Sequence, residues 1–318
     1  MIVVRSVDGI RRDPGSVVTV GTFDGVHLAH AEIIREVVTR ARMKEGRSVV
    51  VTFDPHPKEV VGPPGRPVEL LSTIEERIDL IGAMGVDILL VLRFTYEFSR
   101  ISPGDFYRTY IVEGTGVDEV IVGYDHMFGR DRAAGINELV GMGKQFGFSV
   151  FAVHPFTVDG ETVSSTLIRT ALASGDVTRA ARFLGRPYEV SGTVVRGDGR
   201  GRTIGFPTAN IRPSSGAKIN PSHGVYAVGV RIGNEQHRGM MNIGVRPTVA
   251  AVPAETLEVH LFDFDRDIYG EEVTVSFLRR LRDERKFGSL ADLVEQLGKD
   301  RDEARQTVVQ RPGLNQQR

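Results

Sequence analysis

The chain has 318 residues, of which 41% are hydrophobic and 25% are charged, and its formal net charge is −1. This length favours two domains over a single core, and the near-neutral charge does not indicate binding to nucleic acid or to an acidic membrane surface. The absence of cysteine excludes disulfides, thiolate nucleophiles and cysteine-based metal sites.

The first half of the chain alternates strand-like and helix-like patterns. Its strand segments are continuous apolar runs, such as Val49-Val50-Val51, which are typical of parallel strands buried on both faces. The alternation predicts a doubly wound α/β domain that binds ligands at the carboxyl ends of its strands. The predicted strands are Ser16–Val20, Ser48–Phe53, Asp87–Leu92, Glu119–Val122 and Ser149–Val153, and the predicted helices are Leu28–Glu45, Ile74–Met84, Pro103–Glu113 and Ile136–Phe146.

After a predicted helix at Asp176–Leu184, the pattern changes to consecutive strands separated by Gly, Pro and Asn turns. Such a series predicts an antiparallel sandwich or barrel. Ser289 and Asp292 have the spacing of a capping box, which predicts a final helix running to about Arg305. We therefore expect two domains, residues 1–184 and 185–318. The predicted strands are Val190–Val195, Gly224–Ile232, Arg238–Val245, Leu257–Phe264 and Glu272–Phe277.

The clearest motif of the first half is Gly21-Thr22-Phe23-Asp24-Gly25-Val26-His27-Leu28-Ala29-His30. It joins a predicted strand to a helix N-terminus, whose unpaired N–H groups and partial positive charge suit a phosphate. His27 and His30 are three residues apart, so both can face the same ligand. The alternatives are a metal pair, for which zinc needs further ligands, and incidental histidines. Asp24 fits a turn residue as well as a ligand contact.

Three further segments fall where such a sheet collects its ligands. His56 lies between two prolines after a predicted strand, and Asp125 and Phe128 follow another strand, where Phe128 can stack on a flat ligand. The segment Ser164-Ser165-Thr166-Leu167-Ile168-Arg169 reads either as a helix cap or as a triphosphate contact. Each segment alone also fits a rigid loop or a cap, but all of them fall at places that one α/β sheet brings together.

These segments together resemble the adenylyltransferase module of prokaryotic bifunctional riboflavin kinase/FAD synthetases, a Rossmann-like nucleotidyltransferase with a His-x-Gly-His signature. Ala29 replaces the glycine of that signature, and His126 stands where the family often has Phe. The resemblance implies that His27 and His30 stabilise the transition state as the FMN phosphate attacks the α-phosphorus of ATP. It also implies ATP or phosphate contacts from Gly21, Phe23, Asp24, His27, His30, Ser165, Thr166 and Arg169, and a flavin pocket containing His56, Asp125 and Phe128.

In the second half, the most informative segment runs from Gly199 to Asn210. Thr208 and Asn210 point the same way in an extended segment, and their neutral oxygens suit Mg²⁺ that also binds nucleotide phosphates. A mobile hairpin loop is the alternative. Glu258 can orient or deprotonate a substrate hydroxyl, although strand alternation also explains it. The sequence contains no Gly-x-x-x-x-Gly-Lys-Ser/Thr motif, which excludes a P-loop kinase.

This half resembles the riboflavin kinase module, a small flavin-binding β-barrel. The matching motifs include Pro207-Thr208-Ala209-Asn210, Met241-Asn242-Ile243-Gly244, Glu258-Val259-His260 and the group Arg282, Glu284, Lys286 and Phe287. The resemblance implies that Thr208 and Asn210 bind Mg²⁺ and that Glu258 is the base on the ribityl 5′-hydroxyl. It also implies that the ATP and flavin loop of the kinase contains Gly199, Gly201, Arg202, Gly205 and Pro207.

The two resemblances together predict an enzyme of flavin cofactor biosynthesis that phosphorylates riboflavin to FMN and adenylylates FMN to FAD, releasing pyrophosphate. Its substrates would be riboflavin, FMN and ATP with Mg²⁺, and flavoprotein clients are possible partners. The alternatives are an active riboflavin kinase with a weak or altered nucleotidyltransferase domain, and a non-catalytic flavin-binding regulator. The short, charged N-terminus and the lack of a long apolar run predict a cytoplasmic protein without membrane or nucleic-acid partners.

Overall fold

The computed structural model describes residues 1–63, 68–124, 135–197, 199–246 and 254–308. Backbone contacts divide the chain into two compact units, Met1–Ser165 and Thr166–Arg318. By this division the predicted boundary at residue 184 lies inside the second unit, and it stays a prediction. No helix within the described ranges is long and apolar enough to cross a bilayer.

The first unit is built on a six-stranded parallel sheet with the order β1-β4-β3-β2-β5-β6. All five strands expected in this half are present, and the edge strand β1 is an addition. Three apolar residues with no flanking turn pattern are too short a signal for strand β1. The strands are β1 (Ile2–Val4), β2 (Ser16–Val20), β3 (Ser48–Asp54), β4 (Ile88–Arg93), β5 (Val117–Gly123) and β6 (Ser149–Val153).

Helices cover both faces of this sheet, which confirms the doubly wound α/β prediction. Val49 and Val51 of β3 pack in one apolar cluster with Leu139, whereas Val50 packs in another with Ile34 and Ile81. Alternate residues of a strand point to opposite faces, so a strand covered on both faces is apolar throughout. The helices are α1 (Leu28–Met43), α2 (Pro57–Val61), α3 (Ile74–Gly82), α4 (Pro103–Phe106), which continues as a π-helix at Tyr107–Glu113, and α5 (Ile136–Phe146).

A short hairpin, β7 (Thr157–Val158) and β8 (Glu161–Thr162), follows the sheet and leads to α6 (Ser165–Ala173). The second unit then contains α7 (Val177–Leu184) and a closed six-stranded antiparallel barrel with the order β10-β13-β12-β11-β14-β9. The strands are β9 (Tyr188–Val195), β10 (Ala209–Pro213), β11 (Gly224–Ile232), β12 (Glu235–Arg246), β13 (Ala254–Leu261) and β14 (Glu272–Arg282), with the short helix α8 (Arg200–Thr203) between β9 and β10.

The strand pattern allowed either an antiparallel sandwich or a barrel, and the structure has a closed barrel. Three strands are longer than predicted, since β9 begins at Tyr188, β12 runs from Glu235 to Arg246 and β14 continues to Arg282. Strand β13 ends at Leu261 rather than Phe264, because a turn begins at Phe262 and Asp263 takes a positive φ of 54°. Strand β10 was not expected, since Ile211 is its only fully buried side chain and gives no alternation to detect.

The predicted C-terminal helix is α9 (Leu290–Gln306), which begins with the expected capping box at Ser289 and Asp292. Its apolar side packs on the outer face of the barrel in a cluster that includes Ala227, Met240 and Ala304. An ion pair of 2.7 Å between Arg282 and Asp300 ties the end of β14 to the same helix. Helix α9 therefore covers one part of the barrel's outer surface.

Candidate active sites

The sheet order places a crevice between β2 and β5 in the first unit. After β2 the chain adds β3 and β4 on one side, and it then returns to add β5 on the other side. Ligands of open α/β sheets bind at such a switch point, outside the carboxyl ends of the strands. The loop after β2, residues 21–27, carries the motif that the sequence singles out, so this motif lies at the expected edge.

His27 and His30 lie side by side at the N-terminus of α1. His27 is the N-cap, and its Nδ1 accepts a hydrogen bond of 3.3 Å from the His30 backbone N–H, so its proton lies on Nε2. The two imidazole rings stack with centroids 3.6 Å apart and an angle of 15° between their planes. Two cationic rings would repel each other at this distance, so the pair is not doubly protonated.

The environment keeps His30 neutral. Burial lowers the pKa of His30 well below its usual range, and the positive charges of His27, when it is protonated, and of Arg77 lower this pKa further. The buried Nδ1 of His30 has no hydrogen-bond partner among the described residues. His30 as a whole is partly exposed, so a neutral imidazole is available to a ligand at this place. Within the described ranges, no group of three or more His, Asp or Glu side chains is placed to hold a metal ion.

The loop between β2 and α1 has a strained backbone. Phe23 and Val26 have positive φ values of 47° and 38°, and Gly25 has 81°. A positive φ in a bulky or β-branched residue is energetically costly, and such strain concentrates at functional sites. A Cβ at Gly21 would lie 3.1 Å from the Phe23 ring, so this glycine allows the ring to fold back over the strand end.

Asp24 holds the strained loop in place. Its buried carboxylate accepts hydrogen bonds from the backbone N–H groups of Leu71 and Ser72 and from the Ser72 hydroxyl, at 3.0 to 3.2 Å. The Ser72 hydroxyl also accepts a bond of 2.8 Å from the Gly25 N–H. These bonds account for Asp24 as a turn residue, which is one of the two roles expected for it, and its contact with phosphate stays a prediction.

Replacing Asp24 by alanine is expected to lower the free energy of unfolding of the first unit by about 3 kcal/mol, because two buried N–H groups lose their acceptor. Urea unfolding without ligand, followed by a probe in the first unit, measures the effect. Asp79→Ala, an exposed carboxylate on α3, is the matched control and is expected to change stability by less than about 0.5 kcal/mol. Equal unfolding midpoints for the two variants would mean that the hydrogen bonds accepted by Asp24 do not stabilise the first unit.

The other residues expected at this site take varied positions. His56 is the buried N-cap of α2. Its ring Nδ1 accepts a hydrogen bond from the backbone N–H of Lys58, and its backbone N–H donates one to the Glu59 carboxylate. Ser165 donates a hydrogen bond of 3.1 Å to the Asp24 carbonyl, which joins the start of α6 to the histidine loop. Thr166 is exposed and Arg169 half-buried in the first turns of α6. Asp125, His126 and Phe128 lie outside the described residues.

An aromatic group that sequence reasoning did not single out lies beyond β3 and β4. Phe53 contacts Phe94 and Phe98 at ring-centroid distances of 5.6 and 6.0 Å, and Phe106 lies 6.0 Å from Phe98. The spacing of aromatic residues along the sequence gives no sign of this group, because its members lie on β3, on α4 and on the segment between β4 and α4. Its half-buried rings offer an apolar face that suits a flat ring system.

In the second unit, a row of polar side chains crosses three neighbouring strands of the barrel. Glu258 on β13 is paired directly with Asn210 on β10 and with Asn242 on β12. Directly paired residues point to the same side of a sheet, and the residues next to Glu258, Leu257 and Val259, are buried inside the barrel. The three polar side chains therefore share the outer face.

The glycine-rich segment before β10 packs against this row. A Cβ at Gly197 would collide with the Asn210 amide, and a Cβ at Gly201 would collide with the Phe206 carbonyl and lie 3.4 Å from the Thr208 hydroxyl. Glycine at these two positions thus lets the segment pack directly against the side chains of Thr208 and Asn210. Arg202, Gly199, Gly205 and Pro207 are exposed along the same segment.

His260 fixes the segment that leads into β10. Its Nδ1 lies 2.8 Å from the Pro207 carbonyl and donates to it, and its ring packs edge-on against Phe206 and Phe262. Burial lowers the pKa of His260, and the bond to Pro207 partly opposes that effect. The residue before Thr208 is therefore anchored to the strand that carries Glu258.

Glu284 joins the polar row from the segment after β14. Asn242 donates a hydrogen bond of 3.2 Å to Glu284, and a Cβ at Gly244 would collide with the same carboxylate. Arg282 on β14 makes two further bonds of 3.0 Å to Asp300, whose carboxylate also accepts from Gln296. The resemblance included Glu284 and Arg282 without a role, and the structure shows that α9 fixes the strand end next to Glu284.

Both halves of the chain match known protein families. The family model for FAD synthetase matches residues 10–167, and the model for riboflavin kinase matches residues 184–308. The chain is 39% identical to the bifunctional riboflavin kinase/FMN adenylyltransferase of Listeria monocytogenes over 92% of both proteins. It is 35% identical to the Escherichia coli K12 protein of the same name over 96% of this chain and 97% of that one. The chain belongs to the bifunctional riboflavin kinase/FMN adenylyltransferase family.

The fold of this family member also has a close counterpart among solved structures. A crystal structure from Streptococcus pneumoniae, described as a macrolide-efflux protein, aligns with a TM-score of 0.87 and 34% identity over 96% of this chain and 98% of that one. The alignment covers both units, so the α/β sheet and the closed barrel occur together in that protein as well.

Proposed function

We propose that the chain makes FMN from riboflavin and FAD from FMN, using ATP at two separate sites. The proposal rests on one observation above all: each unit presents its own polar site, and each site lies within the matching family model. The paired histidines at the switch point serve adenylyl transfer, and the polar row on the barrel serves phosphorylation. We assign these activities to residues 1–184 and 185–318 respectively.

In the first unit, an oxygen of the FMN phosphate attacks the α-phosphorus of ATP and pyrophosphate leaves. His27 and His30 contact the phosphate oxygens and stabilise the charge that develops on them. Gly21 and Phe23 shape the turn, and Ser165, Thr166 and Arg169 hold the triphosphate. We place FMN with His56, Asp125 and Phe128. The reaction forms no covalent enzyme intermediate, so binding and orientation of the two substrates provide the catalysis.

In the second unit, Glu258 accepts the proton of the ribityl 5′-hydroxyl as that oxygen attacks the γ-phosphorus of ATP and ADP leaves. Thr208 and Asn210, against which the glycine segment packs, fit Mg²⁺, because their oxygens are hard, neutral ligands that leave positions for waters and phosphates. When bound, the ion neutralises phosphate charge. Gly199, Gly201, Arg202, Gly205 and Pro207 form the loop around the phosphates.

One assay tests the proposal and separates it from its alternatives. The protein is incubated with ATP, Mg²⁺ and either riboflavin or FMN, and the flavins are resolved by chromatography. We expect FMN and FAD from riboflavin, and FAD from FMN. FMN without FAD from either substrate would favour a kinase with an altered first domain, and bound flavin without product would favour a regulator. Cytoplasmic location and delivery of flavins to client proteins stay predictions.

Replacing Gly197 by alanine is expected to lower FMN formation by about 100-fold and to raise the Mg²⁺ concentration needed for half-maximal rate, because the added Cβ displaces the Asn210 amide. Steady-state kinetics at varied Mg²⁺ measure both effects, and FAD formation from FMN is expected to be unchanged. Gly216→Ala, whose Cβ meets no atom within 4 Å, is the matched control. An unchanged Mg²⁺ dependence in Gly197→Ala would remove Asn210 from the metal site.

A further inference from the structure

Arg77 is a charged side chain that is buried inside the first unit. It lies on α3 and is 1% exposed. Among the described residues, no carboxylate comes within salt-bridge distance of its guanidinium, and its Nε has no hydrogen-bond partner. A buried charge without an ion pair lowers the free energy of unfolding, and a neutral side chain at this position would avoid that cost.

The hydrogen bonds of Arg77 connect two loops of the candidate adenylyltransferase site. Its Nη1 donates to the Thr22 carbonyl at 2.8 Å, to the Phe53 carbonyl at 3.2 Å and to the Thr52 hydroxyl at 3.3 Å. Thr52 also donates to the Thr22 carbonyl at 3.1 Å. Thr22 begins the strained loop that leads to the histidines, and Phe53 precedes the loop of His56. One guanidinium therefore joins the carboxyl ends of two adjacent strands.

The charge of Arg77 also acts on the histidine pair. Together with burial and with His27, Arg77 lowers the pKa of His30. The carboxylates that act on Arg77 itself do so at longer range, from Asp24, Asp54, Glu59 and Glu75. Asp24 keeps its negative charge while it accepts hydrogen bonds from Leu71 and Ser72, and it acts on Arg77 only at a distance, so the positive charge of Arg77 is not held in a contact ion pair. A fixed positive charge in a water-poor site stabilises the developing charge of a phosphoryl group.

We propose that Arg77 is a positioning residue for adenylyl transfer, which fixes the Thr22 turn against the end of β3 and places a permanent positive charge behind His27 and His30. The inference rests on the proposed function of the first unit. It assigns to Arg77 two separable tasks, a geometric one through the hydrogen bonds that its Nη1 donates and an electrostatic one through its charge. A lysine retains the charge, but its shorter side chain does not place an N–H group where Nη1 lies, and a methionine retains neither the charge nor the donor.

The test compares Arg77→Lys and Arg77→Met in the full-length chain by FAD formation from FMN and ATP over a range of pH. We expect kcat/KM to fall by about 10- to 100-fold in Arg77→Lys, since the Thr22 turn loses its fixed position, and by about 1,000-fold in Arg77→Met. Removing the positive charge raises the pKa of His30. The acid limb of the kcat/KM profile therefore moves to higher pH in Arg77→Met and stays at the wild-type position in Arg77→Lys.

FMN formation from riboflavin in the second unit is the internal control and is expected to be unchanged in both variants. Arg100→Met, an exposed arginine of the first unit, is the matched control for FAD formation. If Arg77→Met does not fold, as judged by thermal unfolding, Arg77→Gln replaces it in the pH profile. An Arg77→Lys rate within about twofold of wild type, or an unshifted acid limb in the neutral variant, would overturn the inference. Wild-type protein that makes no FAD contradicts the proposed function instead.

Discussion

Replacing Glu258 by alanine is expected to reduce FMN formation from riboflavin by about 1,000-fold or more, while FAD formation from supplied FMN continues at the wild-type rate. General-base removal costs rates of this order, and no other carboxylate takes the central place between Asn210 and Asn242 on the outer face of the barrel. The two products are measured separately by chromatography, with riboflavin or FMN as the starting flavin.

Glu255 on the same strand offers a matched control for Glu258. It is exposed and three residues away, so it points to the other side of β13, where it accepts a hydrogen bond from Asn220. Glu255→Gln is expected to retain FMN formation. Loss of both activities in a folded Glu258→Ala variant would contradict two independent sites, and retention of FMN formation would remove Glu258 from the chemistry.

Replacing His30 by alanine is expected to lower FAD formation by about 100- to 1,000-fold and to leave FMN formation unchanged. A single donor to a developing phosphoryl charge contributes catalysis of this size. His30 is a better target than His27, because His27 also caps α1, and its replacement would mix lost catalysis with lost stability. Initial rates of FAD formation from FMN and ATP provide the measurement.

His154 is the control for His30, since it is an exposed histidine of the first unit. His154→Ala is expected to form FAD at the wild-type rate. Thermal unfolding of both variants shows whether the first unit remains folded. A folded His30→Ala variant with wild-type FAD formation would mean that the stacked pair is structural and that adenylyl transfer depends on other residues.

The position of the histidine motif could be predicted from the sequence because its causes are local. A buried apolar strand, a glycine-containing turn and an amphipathic helix follow one another within 30 residues, and the structure confirms the strand, the turn and the N-terminus of α1. The contacts that hold this turn were not predictable in the same way. Asp24 accepts a hydrogen bond from Leu71, which lies 47 residues later in the chain, and Arg77 donates one to Thr22, which lies 55 residues earlier. No periodicity or spacing rule connects such distant positions.

The kinase site was predictable only through resemblance. Strand alternation indicated β13, but its pairing with β10 depends on a strand whose sequence, Ala-Asn-Ile-Arg-Pro, carries no recognisable strand pattern. The direct pairing of Asn210 with Glu258 is a matter of register, which the closed barrel fixes. Residue types alone therefore allowed a metal ligand and a base among other roles, and they did not place Asn210 and Glu258 side by side.

The hydrogen bonds of Asp24 to Leu71 and Ser72 bear on how much conformational entropy each proposed nucleotide site loses when ATP binds. In the first unit the loop is already held by Leu71, Ser72 and the strained backbone, so ATP binding there has little conformational entropy left to remove. In the second unit, Gly199 and Gly205 are exposed with positive φ values of 69° and 81°, and ordering them over a ligand costs conformational entropy. We therefore expect ATP binding to remove less conformational entropy at the histidine loop of the first unit than at the glycine segment of the barrel.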